Sequence, residues 1–78
     1  MKGGDGMTDT QELNRVIDES GYKRSWLAEQ LGLSPYGLAK KINNETEFKV
    51  SEVEKLSVLL GIKTYKRQRA IFFAGNVD

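Results

Sequence analysis

Seventy-eight residues carrying twelve Lys and Arg against eleven Asp and Glu, a formal net charge of +1, make one small domain with no strongly basic or acidic character. With no Cys and no His, the chain lacks a disulfide framework, a thiolate metal site and the commonest general base, so neither enzymatic chemistry nor a metal or other cofactor is expected. No run approaches the roughly 18 apolar residues of a membrane span, and MKGGDGMTDT has no apolar core like that of a signal peptide, which together point to a cytoplasmic protein without a membrane partner.

The opening MKGGDG is Gly-rich and without apolar periodicity, so residues 1–9 read as a flexible leader, native or left from expression, with Met7 a second possible start. The remainder, 10–78, reads as a single domain. Thr8 or Asp9 caps a first helix, Gln11 or Glu12 completes a capping box, and Leu13, Val16 and Ile17 form its inward stripe before Ser20-Gly21 ends it. Tyr22 is expected to pack as the chain turns. Leu27, Ala28 and Leu31 then fall on one face of a second helix, which Gly32 stops. Ser34 is a good N-cap for a third helix, Pro35 suits its first position, and Leu38 with Ile42 makes an inward i, i+4 pair.

A polar loop, 43–49, follows, with Phe48 as a core plug. Ser51 and Glu54 form a second capping box, Val53, Leu56, Leu59 and Leu60 give the stripe of a fourth helix, and Gly61 closes it. A short helix over about 64–71 is predicted before FFAGNVD, where helical character fades. The fold class is thus all-α, a compact bundle of four to five short helices.

The segment RSWLAEQLGLSPYGLAKKIN (24–43) reads as two short helices joined by a tight turn, the unit by which small proteins place a helix in the DNA major groove. It resembles the helix-turn-helix of the Cro and C repressor group, the Xre-type regulators of phages and bacteria. The resemblance continues through NNETEF (43–48) and SEVEKLSVLLGI (51–62), and spans 13–73. One departure stands out: Lys41 occupies a position where the broader pattern prefers an apolar residue, and Ile42 takes the inward role one step later. The resemblance implies a lambda repressor-like DNA-binding domain and a small transcriptional regulator that occludes promoter DNA as a homodimer on a palindromic operator.

Carried over by position, the base contacts implied are Pro35, Tyr36 and Lys40, with Gly37 allowing close approach of the helix backbone. Lys40 suits guanine O6 and N7, and Tyr36 offers a ring to a thymine methyl. Phosphate candidates are Lys23 and Arg24 at the start of the second helix, Ser34 at the cap, and Lys41, Asn43, Asn44 and Thr46 after the recognition helix. Turn chemistry is the competing role for Asn43 and Asn44. Because the family dimerises through C-terminal segments, and two consecutive Phe do not both fit one small core, Tyr65, Ile71, Phe72 and Phe73 are the expected dimer contacts.

Charge is uneven along the chain: residues 1–20 hold Lys2 and Arg15 against Asp5, Asp9, Glu12, Asp18 and Glu19, leaving the excess of cations downstream. That distribution suits one basic face. The low net charge and exposed aromatics suit instead a protein-interaction module, antirepressor or antitoxin-like, on the same scaffold. Trp26 fits either packing against the first helix or tail, or a protein contact. An enzyme is the third reading and the weakest, since Glu45 and Glu47 have no nucleophile or phosphate cradle beside them. No small-molecule ligand is evident.

Overall fold

A computed structural model describes residues 7–74 and contains five helices in this span: α1 (Thr10–Ser20), α2 (Arg24–Gln30), α3 (Pro35–Ile42), α4 (Val50–Leu60) and α5 (Tyr65–Phe72). No strand occurs among the described residues. α1, α3 and α5 start where an orphan backbone donor finds a side-chain acceptor, whereas α2 starts at Lys23 without one. Asp9 accepts from the Glu12 N–H at 3.1 Å, Ser34 from Gly37 at 2.9 Å, and Thr64 from Arg67 at 3.1 Å. At the entry to α4 the expected pairing shifts. Lys49, not Ser51, is the N-cap, and Glu52, not Glu54, returns its carboxylate to the Lys49 N–H at 2.8 Å. The helix starts two residues earlier than expected because it is the Glu52 carboxylate, at the third helical position, that reaches back to the chain at Lys49.

Three helices end in the same backbone motif. After α2, Leu33 N–H reaches Ala28 O at 2.8 Å and Gly32 N–H reaches Glu29 O at 3.0 Å, with Gly32 left-handed at φ 74°. This 6→1 and 5→2 pair satisfies the last carbonyls and turns the chain sharply into α3. The bonds of Ile62 and Gly61 close α4 likewise. At the end of α3 the left-handed residue is Asn44, φ 66°, with Glu45 N–H on Lys40 O at 2.8 Å. Asn visits this conformation more readily than other residues with a side chain, and here its amide is held by the Thr8 backbone.

The core gathers Leu13, Val16 and Ile17 of α1, Leu27 and Ala28 of α2, Leu38 and Ile42 of α3, Val53 and Leu56 of α4, then Ile62, Ile71 and Phe72. Leu31, Phe48, Leu59 and Leu60 are partly buried against it. Phe48 plugs the loop side, edge-on to Phe72 with centroids 5.4 Å apart. Burying each large apolar side chain contributes about 1.5–3 kcal/mol, which a domain this small needs from nearly all of them.

Two expectations are corrected here. Ile71 and Phe72, expected at a dimer surface, are each 1% exposed and belong to the monomer's own core. The end of α5 lies between α1 and α4, so a wider arc than one stripe is enclosed, and neighbouring residues both point inward. Residues 8 and 9, expected in a leader, belong to the fold: Thr8 is buried, and Asp9 N–H donates to Ile71 O at 2.7 Å. Residues 1–6 of that leader and the tail 75–78 lie outside the described residues.

Candidate nucleic-acid interface

The α2–turn–α3 unit holds α3 by one face only. Leu38 and Ile42 are locked in the core, while Pro35, Tyr36 and Ala39 face outward. Tyr36 is 71% exposed, and the Lys40 ammonium stands 5.4 Å from its ring centroid, one helical turn away. That cation–π contact, worth about 0.5–1 kcal/mol at an exposed site, holds the two side chains together on the outer face. Gly37 has a second reason to be Gly: a Cβ there would stand 3.2 Å from Ser34 Oγ, crowding the cap that starts the helix. The Ser34 hydroxyl oxygen is already accepting from Gly37, so toward a phosphate it has its proton to give.

Between α1 and α3 runs a cleft of about 160 Å³, with Asn14 and Arg24 on one wall and Pro35, Ala39 and Asn43 on the other. Arg24 is held across its rim by Asp18 at 3.0 Å and Asn14 at 2.8 Å. The Arg24 side chain is 44% exposed, so this pairing competes with a phosphate contact without burying the charge. Lys23 has no ion pair among the described residues and Lys40 none beyond its aromatic contact.

Two phosphate candidates are committed elsewhere. Lys41 turns inward, its side chain 12% exposed, and its Nζ bonds Glu52 Oε1 at 2.7 Å and Glu47 O at 3.0 Å. This explains a charged residue at a position of apolar type: the aliphatic stem packs and the ammonium ends on a carboxylate. Asn44 bonds the Thr8 backbone on both sides, accepting from its N–H at 2.8 Å and donating to its C=O at 2.9 Å. Thr10 Oγ1 adds a bond to Ile42 O at 2.6 Å, so the end of α3 is tied to the start of α1. Asn43 and Thr46 stay exposed in the loop.

Glu52 is the residue that sequence reasoning missed. Buried between the start of α4 and the end of α3, it caps Lys49 and pairs Lys41 with a single oxygen. Burial pushes its carboxyl up, but the Lys41 hydrogen bond, the Lys49 backbone N–H and the charges of Lys41 and Lys49 outweigh this and hold it below the usual carboxylate range. The available signal was an acid three residues after the polar loop, in KVSE (49–52).

On the α2 side, Trp26 stacks on Tyr22 with centroids 4.8 Å apart, both rings partly in solvent. Among the described residues no cluster of three or more Asp, Glu, Cys or His has metal-binding proximity, and no helix is long and apolar enough to cross a membrane. Tyr65 is exposed, and Phe73 is half-buried beside it. What the geometry defines is a small all-helical bundle presenting one short helix by its outer face. Compared with protein-family models, with curated proteins and with solved structures, the chain gives no significant match.

Proposed function

We propose that this protein is a small, non-enzymatic transcriptional regulator of the Cro and C repressor kind that binds double-stranded DNA, with α3 in the major groove. The observation that carries this reading is the one-sided anchoring of α3: Leu38 and Ile42 fix its orientation while Tyr36 and Lys40 stand together on the free face. Lys40 reads a base edge, Tyr36 makes apolar contact with a thymine methyl, and Pro35 and Gly37 let the backbone approach. Lys23, Ser34, Asn43 and Thr46 position the phosphates, and Arg24 joins them by leaving Asp18. Lys41 and Asn44 act from behind, holding the end of α3. Two copies on a two-fold site would place their helices about 34 Å apart, one turn of DNA. The protein would act in the cytoplasm, by occupying promoter DNA.

Enrichment of random duplexes by the purified chain, across a salt series and with Lys40→Ala, tests the reading. The expected result is a palindromic site whose base preference at one position relaxes in the variant. Lys23 and a released Arg24 would neutralise one to two phosphates per protomer, so log affinity should fall against log salt with a slope of about −1 to −2 per protomer. No enriched sequence would refute it. The second reading, a protein-interaction module, draws on the exposed Tyr22–Trp26 stack and on the diversion of Arg24 and Lys41 into internal pairs.

A further inference from the structure

We infer, on the reading that Arg24 meets a backbone phosphate, that Asp18 is an internal competitor for the Arg24 guanidinium and thereby sets how tightly this protein holds DNA. Arg24 spreads its fork over two side chains of α1: one Nη donates to Asp18 Oδ1 at 3.0 Å and the other to Asn14 Oδ1 at 2.8 Å. Asn14 and Asp18 are about one helical turn apart, so both reach the start of α2 from the same side of α1. Their charges give them different roles. Asn14 is a neutral acceptor that holds the guanidinium at the α1–α3 cleft, across from Pro35 and Ala39 of the presented helix. Asp18 neutralises the charge through which the same guanidinium would bond a phosphate.

Local structure gives no reason for an acid at position 18. It falls in the last turn of α1, where the helix end carries negative partial charge and favours a cation, and that turn holds no basic residue. Neighbouring Glu19 is taken by Arg15 at 2.7 Å, and among the described residues Asp18 pairs with Arg24 alone. Unlike the buried Lys41–Glu52 pair, this one parts easily: its side chains are 44% and 68% exposed, where an ion pair stabilises only weakly. A phosphate arriving beside α3 can therefore take the place of the Asp18 carboxylate. Every complex then forfeits the internal pair, so Asp18 lowers affinity by about two- to fivefold per protomer. The reduction is the same on all sequences, because a phosphate contact carries no base information. Lys23, the next residue along, has no ion pair among the described residues and carries no such handicap.

Fluorescence anisotropy with an arbitrary duplex at low salt tests this, on the full chain as wild type, Asp18→Asn, Arg24→Gln and the double variant. Removing an acid also raises affinity through the general field, and that part persists without Arg24. The gain from Asp18→Asn should therefore be larger with Arg24 present than in the Arg24→Gln background, by about two- to fivefold. Circular dichroism melts of Asp18→Asn should stay within about 4 °C of the wild type, since loss of a weak pair is offset by removing an acid from a helix C-terminus. In carbon-detected NMR the Asp18 carboxyl resonance should shift when duplex is added to the wild type and hold its place in Arg24→Gln. Equal gains in both backgrounds, or an unmoved Asp18 carboxyl while duplex binds, overturns the proposal and leaves groove reading by α3 standing. Coupling on arbitrary duplexes with no enriched sequence supports the Asp18 competition and removes base reading by Lys40. A chain that holds no duplex even at low salt overturns both.

Discussion

Replacing Glu52 by Gln offers the sharpest view of how α3 is held. The substitution keeps shape and an acceptor for the Lys49 N–H, but removes the charge facing the Lys41 ammonium at 2.7 Å, where the two side chains are 9% and 12% exposed. A hydrogen bond to a charged group is worth about 1.5–3 kcal/mol net, and leaving a nearly buried cation without its partner costs toward the upper end. The expected loss is therefore about 2–3 kcal/mol, against a total of about 4–12 kcal/mol for a chain of this length. In a domain of this size that lowers Tm by about 10–20 °C. Urea titrations of the wild type, Glu52→Gln, Lys41→Met and the double variant, followed by circular dichroism, give the coupling directly. A coupling below about 0.5 kcal/mol, the value of a surface pair, would refute the reasoning. The same carboxylate sets an acid limit. Its folded pKa lies below the unfolded value, so its contribution is complete above the unfolded range, near pH 4.5, and is lost as pH falls through the folded value. Stability should drop on acidification through that window in the wild type and drop less in Glu52→Gln.

Lys40→Ala should cost about 1–3 kcal/mol of binding to the best duplex and relax discrimination at one base pair, read by fluorescence anisotropy, while loss of the contact with Tyr36 lowers Tm by no more than about 2–8 °C. Gly32→Ala meets no atom within 4 Å of its new Cβ, so its cost is the left-handed backbone alone, about 1–2 kcal/mol in a urea titration. Asn44→Ala loses both bonds to the Thr8 backbone and sets a Cβ without amide support at φ 66°; a loss of about 2–3 kcal/mol and faster hydrogen exchange at Thr8 are expected, and slow exchange there would contradict the clamp. Tyr22→Ala should alter the emission of Trp26, the single Trp of the chain, without lowering Tm by more than about 2–4 °C, since the stack is exposed.

Helices, turns and most of the core could be read from the chain because they rest on local rules. The periods of Leu13-Val16-Ile17 and Leu38-Ile42, the Ser34-Pro35 start and the Gly21, Gly32 and Gly61 stops each involve residues a few positions apart, where geometry follows from backbone chemistry. An outward Tyr36 and Lys40 followed from the same period. Partnerships across the bundle were invisible in the sequence. Lys41 and Glu52 are eleven residues apart and Asn44 and Thr8 thirty-six, and nothing in their own neighbourhoods shows that a lysine will turn inward or an asparagine will hold the chain's start. Composition likewise suggested that consecutive Phe72 and Phe73 belong to a surface; packing of α5 between α1 and α4 made room for Ile71 and Phe72 together. What the sequence determined by itself was therefore the helices and the outward face of α3. Tertiary structure decided which cations remain free to meet an external charge, because an ion pair depends on distances in space that only the folded chain sets.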